Sequence, residues 1–159
     1  MKIQAKNRRR VALVAIVVLF TLPFVPRGKA QGKPATAKNI RCAFPLKATG
    51  TWKKDGSPEA VVNPATLVLL FDSINIDEGT AQLRNGTVGS EIIVRSSGGY
   101  LNLIQSFRAG ALYTTTVFDK ESSGGKLKAV HSRHEYFTVP LPGATSSPEQ
   151  YYGECEVTG

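Results

Sequence analysis

Two cysteines, Cys42 and Cys155, are the only ones in the 159 residues, and they stand near opposite ends of the segment able to fold. If they are bridged, their α-carbons must lie within about 7 Å. The first and last elements of the domain are then neighbours, and any sheet between them must curl until its margins meet. Whether two cysteines pair depends on compartment, since disulfides persist in oxidising surroundings. The N-terminus addresses this. Lys2, Lys6, Arg8, Arg9 and Arg10 form a cationic head, an apolar run from Val11 to Val25 follows, and Gly28-Lys29-Ala30 supplies small residues. That order describes a secretory signal over residues 1–30, cut before Gln31. The run is shorter than the roughly 20 apolar residues of a spanning helix and ends on Pro23 and Pro26. The expected product is exported to a periplasm or the medium, holds no membrane segment after cleavage, and carries a Cys42–Cys155 disulfide.

Cleavage also resets the electrostatics. Net charge over the whole chain is +8, but seven of the 20 basic residues and none of the 12 acidic ones precede residue 31. The remainder holds 13 basic and 12 acidic residues. Nucleic-acid binding needs a basic footprint; here it leaves with the signal, so no nucleic-acid partner is expected.

Residues 31–39 are small, polar and interrupted by Pro34, and are expected as a flexible lead-in. From residue 40 to 159 a single domain is expected. Its punctuation is regular, with turn signals at Asp55-Gly56-Ser57-Pro58, Asn63-Pro64, Glu78-Gly79, Asn85-Gly86, Ser97-Gly98-Gly99, Ala109-Gly110, Ser123-Gly124-Gly125 and the span Pro140 to Pro148. Between them lie runs of Val, Ile, Leu, Thr, Tyr and Phe, the spacing of an all-β sandwich or barrel. Strands are predicted over 41–53, 65–76, 79–85, 90–96, 100–107, 111–119, 126–138 and 150–157. Short links favour antiparallel neighbours. With the disulfide tying the first strand to the last, the predicted fold is a small up-and-down meander of about eight strands closing into a barrel; the alternative is a β-sandwich. Closure removes exposed strand edges.

Gly50-Thr51-Trp52 falls in the first long strand, where the lipocalin-like (calycin-like) barrels carry a Gly-x-Trp. The chain resembles that family there, in its strand count, and in a bridge joining the N-terminal region to the C-terminal part. The resemblance implies a closed barrel. The stretches Thr114–Asp119, Ala129–Glu135 and Gln150–Glu156 also resemble an uncharacterised family of exported bacterial proteins, which implies no activity.

The pentad His131-Ser132-Arg133-His134-Glu135 holds both histidines and is the richest functional stretch. On a strand, residues three apart point to opposite faces, so His131 and His134 do not make a two-histidine metal site. No C-x-x-C spacing supplies a zinc set either, and neither metal nor cofactor is expected. Strand alternation puts His131, Arg133 and Glu135 on one face, with Ser132, His134 and Tyr136 on the other. Facing a barrel interior, the trio forms a polar cluster for an anionic or hydrogen-bonding ligand group, with Arg133 as a donor fork for carboxylate or phosphate. Facing water, it is an ordinary cross-strand charge patch. A third arrangement buries Arg133 against Trp52 to close one barrel end.

The ligand-binding candidates are therefore His131, Arg133, His134, Glu135 and Trp52. No serine sits in G-x-S-x-G, and both cysteines are expected to be oxidised. Asp72 or Asp119 with either histidine could complete a triad on paper, and Asp72 could pair a buried Arg133. Asn85-Gly86-Thr87 fits a glycosylation acceptor or a hairpin turn, and the turn is favoured. Tyr151 and Tyr152 are expected as wall and rim. The expected functions are a non-enzymatic module, either binding a small apolar or amphipathic ligand or, if the barrel core is filled, structural, and alternatively an enzyme (isomerase, cyclase or hydrolase) with a strand-borne histidine as general base.

Overall fold

The computed structural model describes residues 33–84, 92–108, 110–135 and 147–158. The expected signal over residues 1–30, Asn85-Gly86-Thr87 and Tyr136 lie outside the described residues. Eight strands follow in order: β1 (Ile40–Trp52), β2 (Pro58–Asn75), β3 (Thr80–Leu83), β4 (Ile92–Ser97), β5 (Tyr100–Ser106), β6 (Leu112–Glu121), β7 (Leu127–His134) and β8 (Glu149–Val157). Each pairs antiparallel with the next, and β8 returns to β1, so one meander sheet closes into a barrel. Among the described residues there is no α-helix.

Period-two alternation drives this arrangement, because a half-buried strand gives every second side chain to the interior. Leu101, Leu103 and Gln105 of β5, Thr115 and Val117 of β6, and Leu127, Ala129 and His131 of β7 are all buried, while residues between them are more exposed. Of these, Leu101, Leu103, Val117, Leu127 and Ala129 join Ile40, Cys42, Phe44, Leu69, Phe71, Val94 and Cys155 in one hydrophobic core. The sharpest hairpin joins β4 to β5 through Gly98 and Gly99, with φ of +58° and +82°. Positive φ at both central residues is the requirement of a type I′ turn, which glycine meets without strain.

Cys42 and Cys155 face each other in the β1–β8 register and form the expected disulfide, with α-carbons 4.0 Å apart. Both are fully buried. The lead-in differs from expectation: Pro34–Thr36 form a single 3-10 turn, and Pro34 and Ala37 are buried. This turn precedes β1 yet packs on β5 and β6, which lie across the eight-membered ring. It therefore crosses one end of the barrel, where Ala37 joins the hydrophobic core.

β2 also differs. It starts at Pro58 rather than residue 65 and runs unbroken through Pro64. The prolines are absorbed by an irregularity. Ala65 and Thr66 of β2 stand against Pro45 alone on β1, and on the other side Phe44 and Pro45 stand against Gly153 of β8. A bulge of this kind kinks the strand and reverses its alternation. Before it, Cys42 and Phe44 point inward; beyond it, Lys47 and Thr49 do.

Candidate functional site

Inward-facing polar side chains collect in the half of the barrel away from the disulfide. β7 contributes His131 and Arg133, with Glu135 just past its end; β6 brings Thr115 and Tyr113; β8 brings Tyr151 and Glu149; β1 brings Lys47 and Thr49. His131, Glu135, Thr115, Glu149 and Tyr151 are buried, and Arg133 is half-buried. Of the two orientations open for the trio, the structure shows the interior one.

His131 occupies the barrel centre. Its ring centroid lies 5.9 Å from Phe44, 5.7 Å from Tyr151 and 6.0 Å from Tyr113. Nε2 accepts a hydrogen bond from Arg133 Nε at 3.3 Å. An arginine cannot accept, so the imidazole proton sits on Nδ1, which donates to Thr115 Oγ1 at 2.8 Å. Burial, and then the Arg133 charge, push the pKa down to about 3. A neutral ring with both nitrogens engaged is a structural fixture and a weak base.

Arg133 sits between two aromatic faces, its guanidinium carbon 5.2 Å from the ring centroids of both Tyr113 and Tyr151. Each tyrosine also serves a carboxylate: the Tyr113 hydroxyl donates to Glu135 Oε2 at 2.8 Å, and the Tyr151 hydroxyl donates to Glu149. Burial first, and then these carboxylates, push both phenols up to about 12. Burial alone would raise Glu149. Hydrogen bonds from Lys47 (2.6 Å) and Tyr151, with the Lys47 and Arg133 charges, outweigh it and hold that carboxyl below its usual range. Arg133 spends Nε on His131 and its faces on the tyrosines, so among the described residues its two terminal nitrogens have no partner.

The other candidates lie elsewhere. His134 is exposed on the outer face, as alternation dictates. Trp52 is 57% exposed at the end of β1, opposite Pro58, and the rings that Arg133 stacks on are those of Tyr113 and Tyr151 instead. The bulge at Pro45 reverses the parity that would have carried Trp52 inward. Asp72 binds Arg84 Nε at 2.6 Å rather than Arg133, and Asp119 takes a strand-end position, its N–H donating to the Gly99 carbonyl. Neither meets a histidine, so the triad is not assembled from these residues.

Tyr113, Glu149 and Lys47 were not singled out from sequence. Glu149 carries a readable signal, since it shares the parity of Cys155 on β8. Lys47 does not, because the bulge stands between it and Cys42.

No protein-family model, curated protein or solved structure matches the chain. No helix among the described residues is long and apolar enough to cross a membrane, which says nothing about strands.

Proposed function

We propose that this chain is an exported binding module that takes a small amphipathic molecule by an anionic group, carboxylate or phosphate, at the Arg133 end of the barrel. One observation carries the reading: Arg133 is fixed by His131, Tyr113 and Tyr151 while, among the described residues, both terminal nitrogens keep their donors. A guanidinium so held presents a bidentate fork whose ordering cost is already met. The carboxylates beside it have donors of their own, Glu149 in Lys47 and Tyr151 and Glu135 in Tyr113. Phe44 and His131 fill the barrel centre, so the ligand occupies the mouth, with the tyrosine edges against its apolar part. Export rests on the charged head, apolar run and small residues of 1–30 and suits the disulfide. The lipocalin-like kinship is part of the proposal and rests on the closed meander and Gly50-Thr51-Trp52.

The test is thermal and denaturant stability of the protein against a panel of small carboxylates and phosphates. A ligand at about 100 times its Kd adds about 3 kcal/mol to stability. Arg133→Met, which keeps the stem between the tyrosines, is expected to abolish the gain, while His134→Ala and Trp52→Ala retain it. Equal stabilisation of wild type and Arg133→Met contradicts the proposal, as does a panel with no effect.

A further inference from the structure

The outer wall of the barrel is not a uniform polar surface. Val130 of β7, Tyr152 of β8 and Leu46 of β1 stand side by side in the register, all facing out. Tyr152 is 42% and Leu46 41% exposed. Behind them the β1 bulge brings β8 so close that a Cβ on Gly153 would lie 2.0 Å from the Ala43 carbonyl oxygen. The wall bends there, and on its outer side lies a groove of about 1080 Å3. That is at the upper end of the roughly 300–1,000 Å3 typical of small-molecule sites. Val68 of β2 lines the groove on one flank, and on the other it reaches the edge-to-face pair Tyr100 and Phe118, whose centroids are 5.6 Å apart. Exposed apolar surface gathered into a concavity marks a place where something binds.

The polar lining is at one end. Arg41 and Lys126 both reach Glu156, at 3.2 and 3.3 Å, so one carboxylate answers two cations. Lys128 stands opposite Glu154 across β7–β8 without a direct ion pair. Around the groove as a whole, Arg41, Lys120, Lys126 and Lys128 face Asp119, Glu154 and Glu156, leaving one positive charge uncompensated. An apolar trough ending in a single excess positive charge has the complement of one long chain bearing one negative head. A planar bilayer would not enter a concave wall, and a second copy's convex barrel would bridge over it.

We propose that this groove is a second binding site, distinct from the barrel mouth, and that it takes a free long-chain carboxylate. The chain lies along Leu46, Tyr152 and Val130 toward Phe118, and the head rests against Lys126 and Lys128.

The test is NMR titration of the isotope-labelled protein with dodecanoate below its micellar threshold. Saturable shifts are expected at the Val130 and Leu46 methyl groups and the Tyr152 ring, with one equivalent bound at this groove, whether or not Arg133 Nε–H also responds. Lys126→Glu, an exposed change, is expected to raise Kd about tenfold, the worth of one charge-assisted contact, and Val130→Asp to abolish the shifts with the barrel amides retained. Dodecyltrimethylammonium, with the same chain and opposite charge, is expected to bind far more weakly. The proposal is overturned if shifts appear only at Arg133 and its tyrosines, if they appear only above the micellar threshold or only with anionic vesicles, if the two head groups bind equally, or if Lys126→Glu changes nothing. Shifts confined to Arg133 would support the mouth site while removing this one, so the two proposals fail separately.

Discussion

At His131 the cost of protonation is set by position: the imidazole is buried, donates to Thr115, accepts from Arg133, and has its pKa lowered to about 3. The unfolded chain takes up a proton near 6.5, so between that pH and 3 it binds more protons than the folded state, and stability falls as pH falls. From pH 7 to pH 5 this one residue is expected to cost about 2 kcal/mol, from the linkage of roughly 1.4 kcal/mol per pH unit below the unfolded pKa. Glu149, depressed in the fold, removes further stability only below the normal carboxyl range. Urea unfolding at the two pH values measures the slope. His131→Gln, which offers an amide in place of the ring, is expected to flatten it; an unchanged slope would mean that His131 is not the buried neutral group. The same residue shows what a pentad of functional side chains conceals. Alternation correctly separates His131, Arg133 and Glu135 from His134, but chemistry alone does not say that the imidazole's lone pair is already taken.

At the scale of elements, the decisive feature is the bulge of β1. Counting by twos from Cys42 sends Trp52 inward and Lys47 outward; the extra residue at Phe44–Pro45 reverses both. Trp52 therefore lies on the outside, and Lys47 reaches Glu149 from within. Bulges follow from local pairing between strands distant in sequence, and Pro45 alone does not announce one. The turns, by contrast, are legible, because a two-residue hairpin needs positive φ at both central positions and Gly98-Gly99 meets that without strain. Gly153 is the complement of the bulge on β8. Gly153→Ala would set a methyl group against backbone rather than a flexible side chain, so the strands must part. Overpacking of this sort costs about 3 kcal/mol. The expected outcome is a lowered midpoint in thermal unfolding, with a larger drop than for Gly124→Ala, where a Cβ meets only the Ser122 hydroxyl at 3.7 Å. A neutral Gly153→Ala would argue against the bend and against the outer groove.

For the molecule as a whole, the ring is closed twice, by the β1–β8 ladder and by sulfur. The disulfide joins residues 113 apart. In the chain-entropy model a loop of that size is worth about 4–5 kcal/mol. Replacing both cysteines with alanine is therefore expected to lower unfolding free energy by about that amount in urea titration, while the far-ultraviolet spectrum stays that of a sheet because the ladder persists. Loss of the sheet would mean that sulfur alone holds the margins together. Closure was readable from two cysteines and a row of turns, since few folds bring the ends of a meander to one disulfide's length. What fills the ring was less readable: its polar half is assembled from β1, β6, β7 and β8, and no short motif spans four strands.

The central claim is that this closed barrel turns Arg133 inward and clamps it between two tyrosines with its fork open. The most direct measurement is a 15N-edited NOE spectrum centred on the Arg133 Nε–H. Cross-peaks to the ring protons of both Tyr113 and Tyr151, on a proton slow to exchange because it is donated to His131, are the expected result. An Nε–H in rapid exchange with no contact to either ring would contradict the account.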